Sequence, residues 1–324
     1  MLEKTAVVGA GLMGGQIALV LAMGSRETLL TDTEQRILDN SIENIKRYAS
    51  DLYNHKLLQE EPSKVVDRIR TTTSLKEAAA DTEMVVEAVF EDLEVKKDVF
   101  KRLDEAARPD TILSSNTSGF PISKIAAATK IPQRVLGAHF VQPAHIVPIV
   151  EVVRGEQTSD ANLKRAREMW LGLHRVPIVV NKDISGFILN RIQHAMIREA
   201  VFLVAEGIAQ PEDIDLTVSL GLAPRLTVSG PLEQRDMNGI DLNYKIAQNL
   251  WNQLSGSEEP LKFLKQKVEK GELGLKSGRG YYDWSGMKPS EVRSARDEAL
   301  LQITKDVLDQ MHGQKKGAPL EKRN

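Results

Sequence analysis

Residues 5–32 constrain this chain more than any other stretch. Thr5-Ala-Val-Val-Gly is a short apolar run ending at Gly9 and reads as a buried strand. Gly9-Ala-Gly11-Leu-Met-Gly14 follows directly, then a helical run from Gln16 to Met23, and Thr28-Leu-Leu-Thr-Asp32 reads as the next strand. A strand, a glycine turn, a helix and a second strand in about thirty residues make one βαβ unit. Gly9 permits the tight turn, Gly11 lets the backbone approach a pyrophosphate, and Gly14 lets the helix pack closely on the strand. The N-terminus of the helix that follows offers free N–H groups and a positive dipole end to the phosphates, with Leu12 and Met13 of the turn as further cofactor-binding candidates. Asp32 closes the second strand, where a carboxylate accepts hydrogen bonds from the adenosine ribose hydroxyls and disfavours a 2′-phosphate. The expected cofactor is therefore NAD rather than NADP. The plainer alternative is an ordinary glycine turn, and the two flanking strands with Asp32 weigh against it.

The chain continues in the same alternating manner. Glu34 to about Arg70 is polar with apolar residues at helical spacing, which predicts a long helix and a second one, a helical insertion near 34–66. Arg68–Thr73 reads as a short strand. Met84–Phe90, Thr111–Ser115, Val135–His139, Ile149–Val153 and Val176–Val180 read as strands, with helices over Leu93–Ala107 and Asn162–Leu173. After Asp183 the character changes to helices: Phe187–Ala205, Glu212–Leu220, Gly230–Leu250 and Pro260–Lys270. The expected architecture is α/β, a Rossmann-type doubly wound sheet over 1–183 followed by an all-helical domain over 184–324, with a polar, mobile tail from Gly313.

Composition removes several function classes. A formal net charge of -2 argues against a nucleic-acid or anionic-membrane binder. With no cysteine there is no disulfide framework, thiolate nucleophile or Cys-ligated metal. The first residues lack a signal peptide's pattern, and Ile17–Met23 is too short to span a bilayer, so a cytoplasmic enzyme is expected.

Ser115–Val153 carries the chemistry. It holds a hydroxyl (Ser118), an imidazole (His139) and a carboxylate (Glu151), each in or beside a short apolar segment. A general base needs a second group to position and tune it, and a His with a buried carboxylate meets that need. The bland alternative is a satisfied core histidine and a strand-edge charge. His139 and His145 lack helical ligand spacing and no Asp or Glu accompanies His145, so no metal is expected.

Several motifs in order resemble the 3-hydroxyacyl-CoA dehydrogenase family over nearly the whole chain. They are Gly9–Gly14, Val86-Glu-Ala-Val-Phe-Glu91, Ser115-Asn-Thr-Ser118, Gly137-Ala-His-Phe140 with Pro143, Val150-Glu-Val-Val and Gly186-Phe-Ile-Leu-Asn-Arg191. Pro211-Glu-Asp-Ile-Asp215, Gly230-Pro-Leu and Lys276-Ser-Gly-Arg-Gly-Tyr281 follow. The resemblance implies hydride transfer between a carbinol carbon and the nicotinamide, as in fatty acid metabolism. His139 would take the hydroxyl proton, Glu151 would orient the ring, and Ser118 and Asn190 would hold the substrate oxygen. Ala88, Glu91, Lys96 and Asn116 would line the ribose and nicotinamide side, although an exposed helix lysine is an equal reading of Lys96. A homodimer formed through the helical domain is also implied.

The chain departs from the acyl-CoA pattern around the substrate. It reads His139-Phe-Val-Gln-Pro143 and then Ala-His145-Ile-Val-Pro, and has Tyr48 and His55 where the family carries a serine and a lysine that contact CoA. A longer segment, Leu222–Ser229, precedes Gly230. These stretches are similar to the family's dehydrogenases of free hydroxy acids, most of all a hydroxymethyl-pyridine carboxylate enzyme. Gln142 and His145 are then candidate pocket residues and Arg225 a candidate carboxylate clamp, against a solvated loop arginine. Three readings stay open: a 3-hydroxyacyl-CoA dehydrogenase, a dehydrogenase of a small CoA-free acid, and a non-catalytic NADH-binding structural protein.

Overall fold

The computed structural model describes residues 4–256 and 258–314, with backbone only at 259 and 310–314. In chain order the first elements are β1 (Lys4–Val8), α1 (Leu12–Met23), β2 (Glu27–Thr31), α2 (Gln35–Asn54), α3 (Pro62–Val66) and β3 (Ile69–Thr72). Then come α4 (Leu75–Ala79), β4 (Met84–Glu87), α5 (Leu93–Ala106), β5 (Ile112–Ser115), α6 (Ile122–Ala126) and β6 (Val135–Phe140). β7 (Ile149–Arg154), α7 (Asp160–Gly172) and β8 (Val176–Val180) complete the sheet.

The eight strands lie in the order β3-β2-β1-β4-β5-β6-β7-β8. The first six are parallel, β7 pairs antiparallel with β6, and β8 runs parallel to β7. Strands β4, β5 and β6 are buried along their whole length, as their near-continuous apolar runs require of a sheet covered on both faces. One core joins the sheet to α1, α2, α3 and α7 through Ile17, Leu21, Leu38, Ile45, Val65 and Trp170. The other joins it to α4, α5 and α6 through Ala78, Phe100, Leu103, Ile122 and Ile125. Strand order reverses between β1 and β4, and in such sheets ligands bind outside the carboxyl ends of the strands at that point.

The chain forms two compact units. The first takes in Met1–Asn190 and Ala299–Asn324, the second Arg191–Glu298. Among the described residues the second unit is helical: most of α8 (Leu189–Ala205), then α9 (Pro211–Leu216), α10 (Ala223–Val228), α11 (Pro231–Asn238), α12 (Ile240–Leu250) and α13 (Glu259–Glu269). The last helix, α14 (Pro289–Gln314), crosses back, and its Leu301 is buried in the core of the first unit. No helix among the described residues is long and apolar enough to cross a membrane.

Several sequence expectations change in detail. The strand beginning at Met84 ends at Glu87, and Phe90 is exposed, so apolarity overextended it. Gly230–Leu250 is two helices, broken where Gly239 adopts φ +90°. The helix over 212–220 ends at Leu216 and loosens into a π-helical stretch over Thr217–Leu222. Leu222–Ser229 holds α10, so Arg225 sits on a helix rather than a loop. The short helices α4 and α6 and the long α14 were not anticipated. Residues 315–324 of the tail expected to be mobile lie outside the described residues.

Candidate active site

The glycine turn has the shape a dinucleotide requires. Gly9 has φ +99°, and a Cβ there would lie 2.6 Å from the Ala88 carbonyl oxygen. A Cβ on Gly14 would lie 1.7 Å from the Gly9 carbonyl oxygen, so only glycine lets α1 pack this closely on the turn. Gly11 faces open space, with nothing within 4 Å of the Cβ position, which leaves room for a phosphate oxygen beside the N-terminus of α1. Leu12 is exposed and Met13 half-buried at that end. Asp32 stands just past β2; its Oδ2 accepts from the Ala10 amide at 2.7 Å and its Oδ1 from the Thr33 amide at 2.7 Å. A carboxylate held beside the turn in this way fits an adenosine ribose. A cleft of about 260 Å³ borders the turn, lined by Gly11, Leu12, Gly15, Ser41, Asn44 and Tyr48.

His139 and Glu151 are partners in register across the β6–β7 pair. The His139 Nδ1–Glu151 Oε2 distance is 2.7 Å, and both side chains are buried. The other oxygen, Oε1, accepts from the backbone amides of Ile188 and Leu189, each at 2.9 Å, where α8 begins. A left-handed turn makes this possible: Gly186 has φ +79° and Phe187 φ +46°. The same turn lays the Phe187 ring beside His139, with centroids 5.6 Å apart. Burial works against ionisation of Glu151, but the His139 bond and the two amides outweigh it and hold the carboxyl below its ordinary value. A carboxylate accepting from Nδ1–H leaves Nε2 as the free proton acceptor.

A second network supports the turn after β5. Glu87, at the end of β4, accepts from Lys96 Nζ at 2.7 Å, Ser115 Oγ at 2.6 Å and the Val89 amide at 2.7 Å. Lys96 is buried, and its ammonium also lies 3.2 Å from Glu91 Oε2, so the exposed-lysine reading does not hold. Glu91 Oε1 accepts from Thr117 Oγ1 at 2.6 Å and the Ser118 amide at 3.0 Å. Burial opposes the Glu91 charge, yet the Thr117 hydroxyl, Lys96 and the Ser118 amide hold its pKa below the ordinary value. Asn116 Oδ1 accepts from the Phe140 amide at 2.8 Å, which ties this turn to the end of β6. Asn190 Nδ2 donates to the Ser118 carbonyl oxygen at 3.3 Å, and Ser118 itself is exposed. Ala88 is half-buried just past β4, next to Gly9.

The substrate candidates have different surroundings. Gln142 is exposed and joined to Pro143 by a cis peptide bond. His145 is buried and stacks on Tyr48, centroids 4.4 Å apart at 25°. Arg225 belongs to the second unit, where its Nη2 donates to Gln234 Oε1 at 3.3 Å. Reasoning from sequence missed Glu87, Phe187, Gln16 and Arg175. Glu87 and Gln16 carried a signal: each is a polar residue inside an apolar run that the fold buries, and such a group needs a partner. Gln16 Oε1 accepts from the Ala144 amide at 2.8 Å.

Comparison with known proteins agrees with this geometry. The 5-formyl-3-hydroxy-2-methylpyridine 4-carboxylate 5-dehydrogenase of Mesorhizobium japonicum is 31% identical over 305 residues, 94% of this chain and 97% of that one. A probable 3-hydroxybutyryl-CoA dehydrogenase of Deinococcus radiodurans is 38% identical over 282 residues, 87% of this chain and 100% of that one. The crystal structure of an enzyme of the first activity, described as an NAD+-dependent dismutase, superposes with a TM-score of 0.88 at 30% identity, over 95% of this chain and 99% of that one. The model of the 3-hydroxyacyl-CoA dehydrogenase NAD-binding domain matches residues 4–184 and that of the family's C-terminal domain residues 186–284. With both domains present in order and the glycine turn built to take NAD, this chain belongs to the 3-hydroxyacyl-CoA dehydrogenase family and is an NAD-dependent oxidoreductase acting on CH–OH groups.

Proposed function

We propose that the substrate is a small acid without CoA, a hydroxymethyl-aromatic acid or another free hydroxy acid. The observation that carries this reading is the Tyr48–His145 stack. Tyr48 stands where the resemblance expects a CoA-contacting serine, and its ring is already packed face to face on His145. The similarity to the pyridine-carboxylate enzyme supports it, because that likeness spans 94% of the chain while the hydroxybutyryl-CoA relative accounts for 87%.

In this reading His139 Nε2 takes the proton from the substrate hydroxyl. Glu151 keeps the proton on Nδ1 beforehand and stabilises the imidazolium that forms. The Ser118 hydroxyl and the Asn190 amide hold the substrate oxygen, and Phe187 keeps water from the back of the imidazole. Bound NAD would supply the hydride acceptor for the carbinol carbon. Leu12, Met13 and the glycines would hold its pyrophosphate and Asp32 its adenosine ribose. Ala88, Glu91 and Asn116 line the nicotinamide side, and Lys96 acts there through Glu91. Gln142 and His145 are pocket residues, and Arg225 is the clamp for the acid's carboxylate.

We also assign residues 184–324 to a substrate and dimerisation domain, with a homodimer as the working form. The second unit leaves Leu220, Leu232, Met237, Tyr244 and Leu261 more than half exposed, a set that a second copy would cover. Light scattering coupled to gel filtration checks the dimer.

NADH formation measured over hydroxymethyl-pyridine carboxylates, short 3-hydroxy acids and 3-hydroxybutyryl-CoA tests the substrate. Turnover of a free acid is expected. A rate with the CoA thioester alone overturns the reading and favours the acyl-CoA dehydrogenase, to which the 38% identity of the hydroxybutyryl-CoA relative already points as the second possibility.

A further inference from the structure

Among the described residues three side chains are cationic and buried to more than nine-tenths: Lys96, Arg134 and Arg175. Two of them are paired. Lys96 lies between Glu87 and Glu91, and Arg134 Nη2 donates to Asp104 Oδ1 at 2.8 Å. Arg175 has no carboxylate among the described residues. Its side chain makes one long bond, Nη1 to the Ala144 carbonyl oxygen at 3.5 Å, and its Nε has no partner. Burial lowers its pKa only to about 10, so the guanidinium is charged at neutral pH. An uncompensated charge inside a fold is costly, and the usual remedy is a counter-ion.

The groups around Arg175 are of matching character. Of the five buried side-chain atoms without a hydrogen-bond partner among the described residues, three belong here: Arg175 Nε, His145 Nδ1 and Trp170 Nε1. The Arg175 amide donates to the Trp170 carbonyl oxygen at 2.9 Å, which fixes the two residues together. His145 follows Ala144, whose amide is held by Gln16 and whose carbonyl oxygen takes the Arg175 bond. Burial first, then the charges of Arg175 and Arg47, push the His145 pKa down to about 3, so its ring is neutral and offers one N–H. Tyr48 covers that ring, and the exposed Arg47 lies 5.1 Å from the Tyr48 centroid.

This neighbourhood is separate from the base. Ala144 and Trp170 belong to the core against α1, α2 and α7, whereas Phe187, beside His139, belongs to the opposite core. Arg175 directly precedes β8, whose Val176 pairs with Ile149 at the start of β7, so it stands at the same end of the sheet as the carboxyl end of β6.

We propose that Arg175, His145 and Trp170, with Arg47 at the rim, form a binding site for an oxyanion, a carboxylate or phosphate group. A fixed cation in one neighbourhood with two unpaired ring nitrogens offers an oxyanion charge and hydrogen bonds, and among the described residues no acidic side chain bonds to the guanidinium to compete. The site stands whichever substrate is turned over.

The test uses the full chain saturated with NADH, so that the glycine turn's own phosphate site is filled. Isothermal titration calorimetry compares inorganic phosphate, acetate and chloride at one ionic strength. Phosphate or acetate is expected to bind one per chain, and the better of the two identifies the source as a phosphate or a carboxylate. Arg175→Met is expected to weaken binding by about tenfold or more, as loss of a charge-assisted pair does. It is also expected to raise the ligand-free melting temperature, because an unpaired buried charge is replaced by an apolar chain. Should that variant fail to fold, His145→Phe and the surface substitution Arg47→Met carry the comparison, each weakening the same ion. Heats indistinguishable from chloride overturn the proposal, as does binding unchanged in His145→Phe and Arg47→Met.

Discussion

His139 and Glu151 face each other across an antiparallel strand pair, Nδ1 to Oε2 at 2.7 Å, and the other carboxylate oxygen is held by the first amides of α8. The imidazole is therefore oriented by a group that is itself fixed at both oxygens. The reversal of chain direction after six parallel strands sets this up, because running β7 antiparallel to β6 brings its first half against the last half of β6.

The first expectation follows from that pair. Glu151→Gln keeps the shape but ends the control of the tautomer, so kcat for NADH formation falls by about 10²–10⁴-fold. NADH affinity, read by fluorescence titration, stays close to wild type. His139→Gln abolishes turnover with the same retained binding. Turnover of either variant within a factor of about two of wild type contradicts the assignment.

Lys96 gives the second. Lys96→Met leaves the buried Glu87 carboxylate without its cation, which costs about 3–5 kcal/mol. The urea midpoint drops accordingly. At temperatures where the variant stays folded, the loosened Glu91 and Ser118 turn raises KM for the acid substrate. A loss below about 1 kcal/mol shows that the pair is only a surface-like contact.

Asp32 gives the third. Asp32→Ala frees the Ala10 amide and removes the carboxylate that disfavours a 2′-phosphate. The ratio of kcat/KM for NAD to that for NADP falls by about tenfold or more, in line with loss of a hydrogen bond to a charged group. An unchanged ratio rules out the ribose contact.

The fourth concerns acid stability. The His145 pKa is depressed from 6.5 to about 3, so the unfolded chain binds a proton that the folded one refuses. Stability is present in full above the unfolded value and is lost as pH falls below it, by about 1.4 kcal/mol per pH unit from this group. Between about pH 6 and about pH 5, above the carboxylate range, the wild-type melting temperature declines and that of His145→Phe stays flatter. Equal slopes for the two proteins refute the buried neutral imidazole.

The long periodic elements and the nucleotide turn were legible because their signals are local. An apolar run, three glycines at fixed offsets and an acid at the end of the next strand need nothing distant to interpret them. The α14 stretch holds helix formers, but its apolar residues do not gather on one face, so apolar periodicity gives no helix there. Apolar spacing predicts one helix over 230–250, since the +90° φ of Gly239 that breaks it depends on how the chain must turn and not on that spacing.

For the site, the sequence by itself determined the residue types: a hydroxyl, an imidazole, a carboxylate and an amide beside a place for NAD. Only the tertiary structure decided their states. Strand register put Glu151 on His139, and a left-handed turn at Gly186–Phe187 brought two amides to the far oxygen. Packing buried Lys96 between two acids, yet left Arg175 with none among the described residues. The reason is physical. A charge's state depends on its solvent and its partners, and those partners come from residues that the chain places far away in sequence.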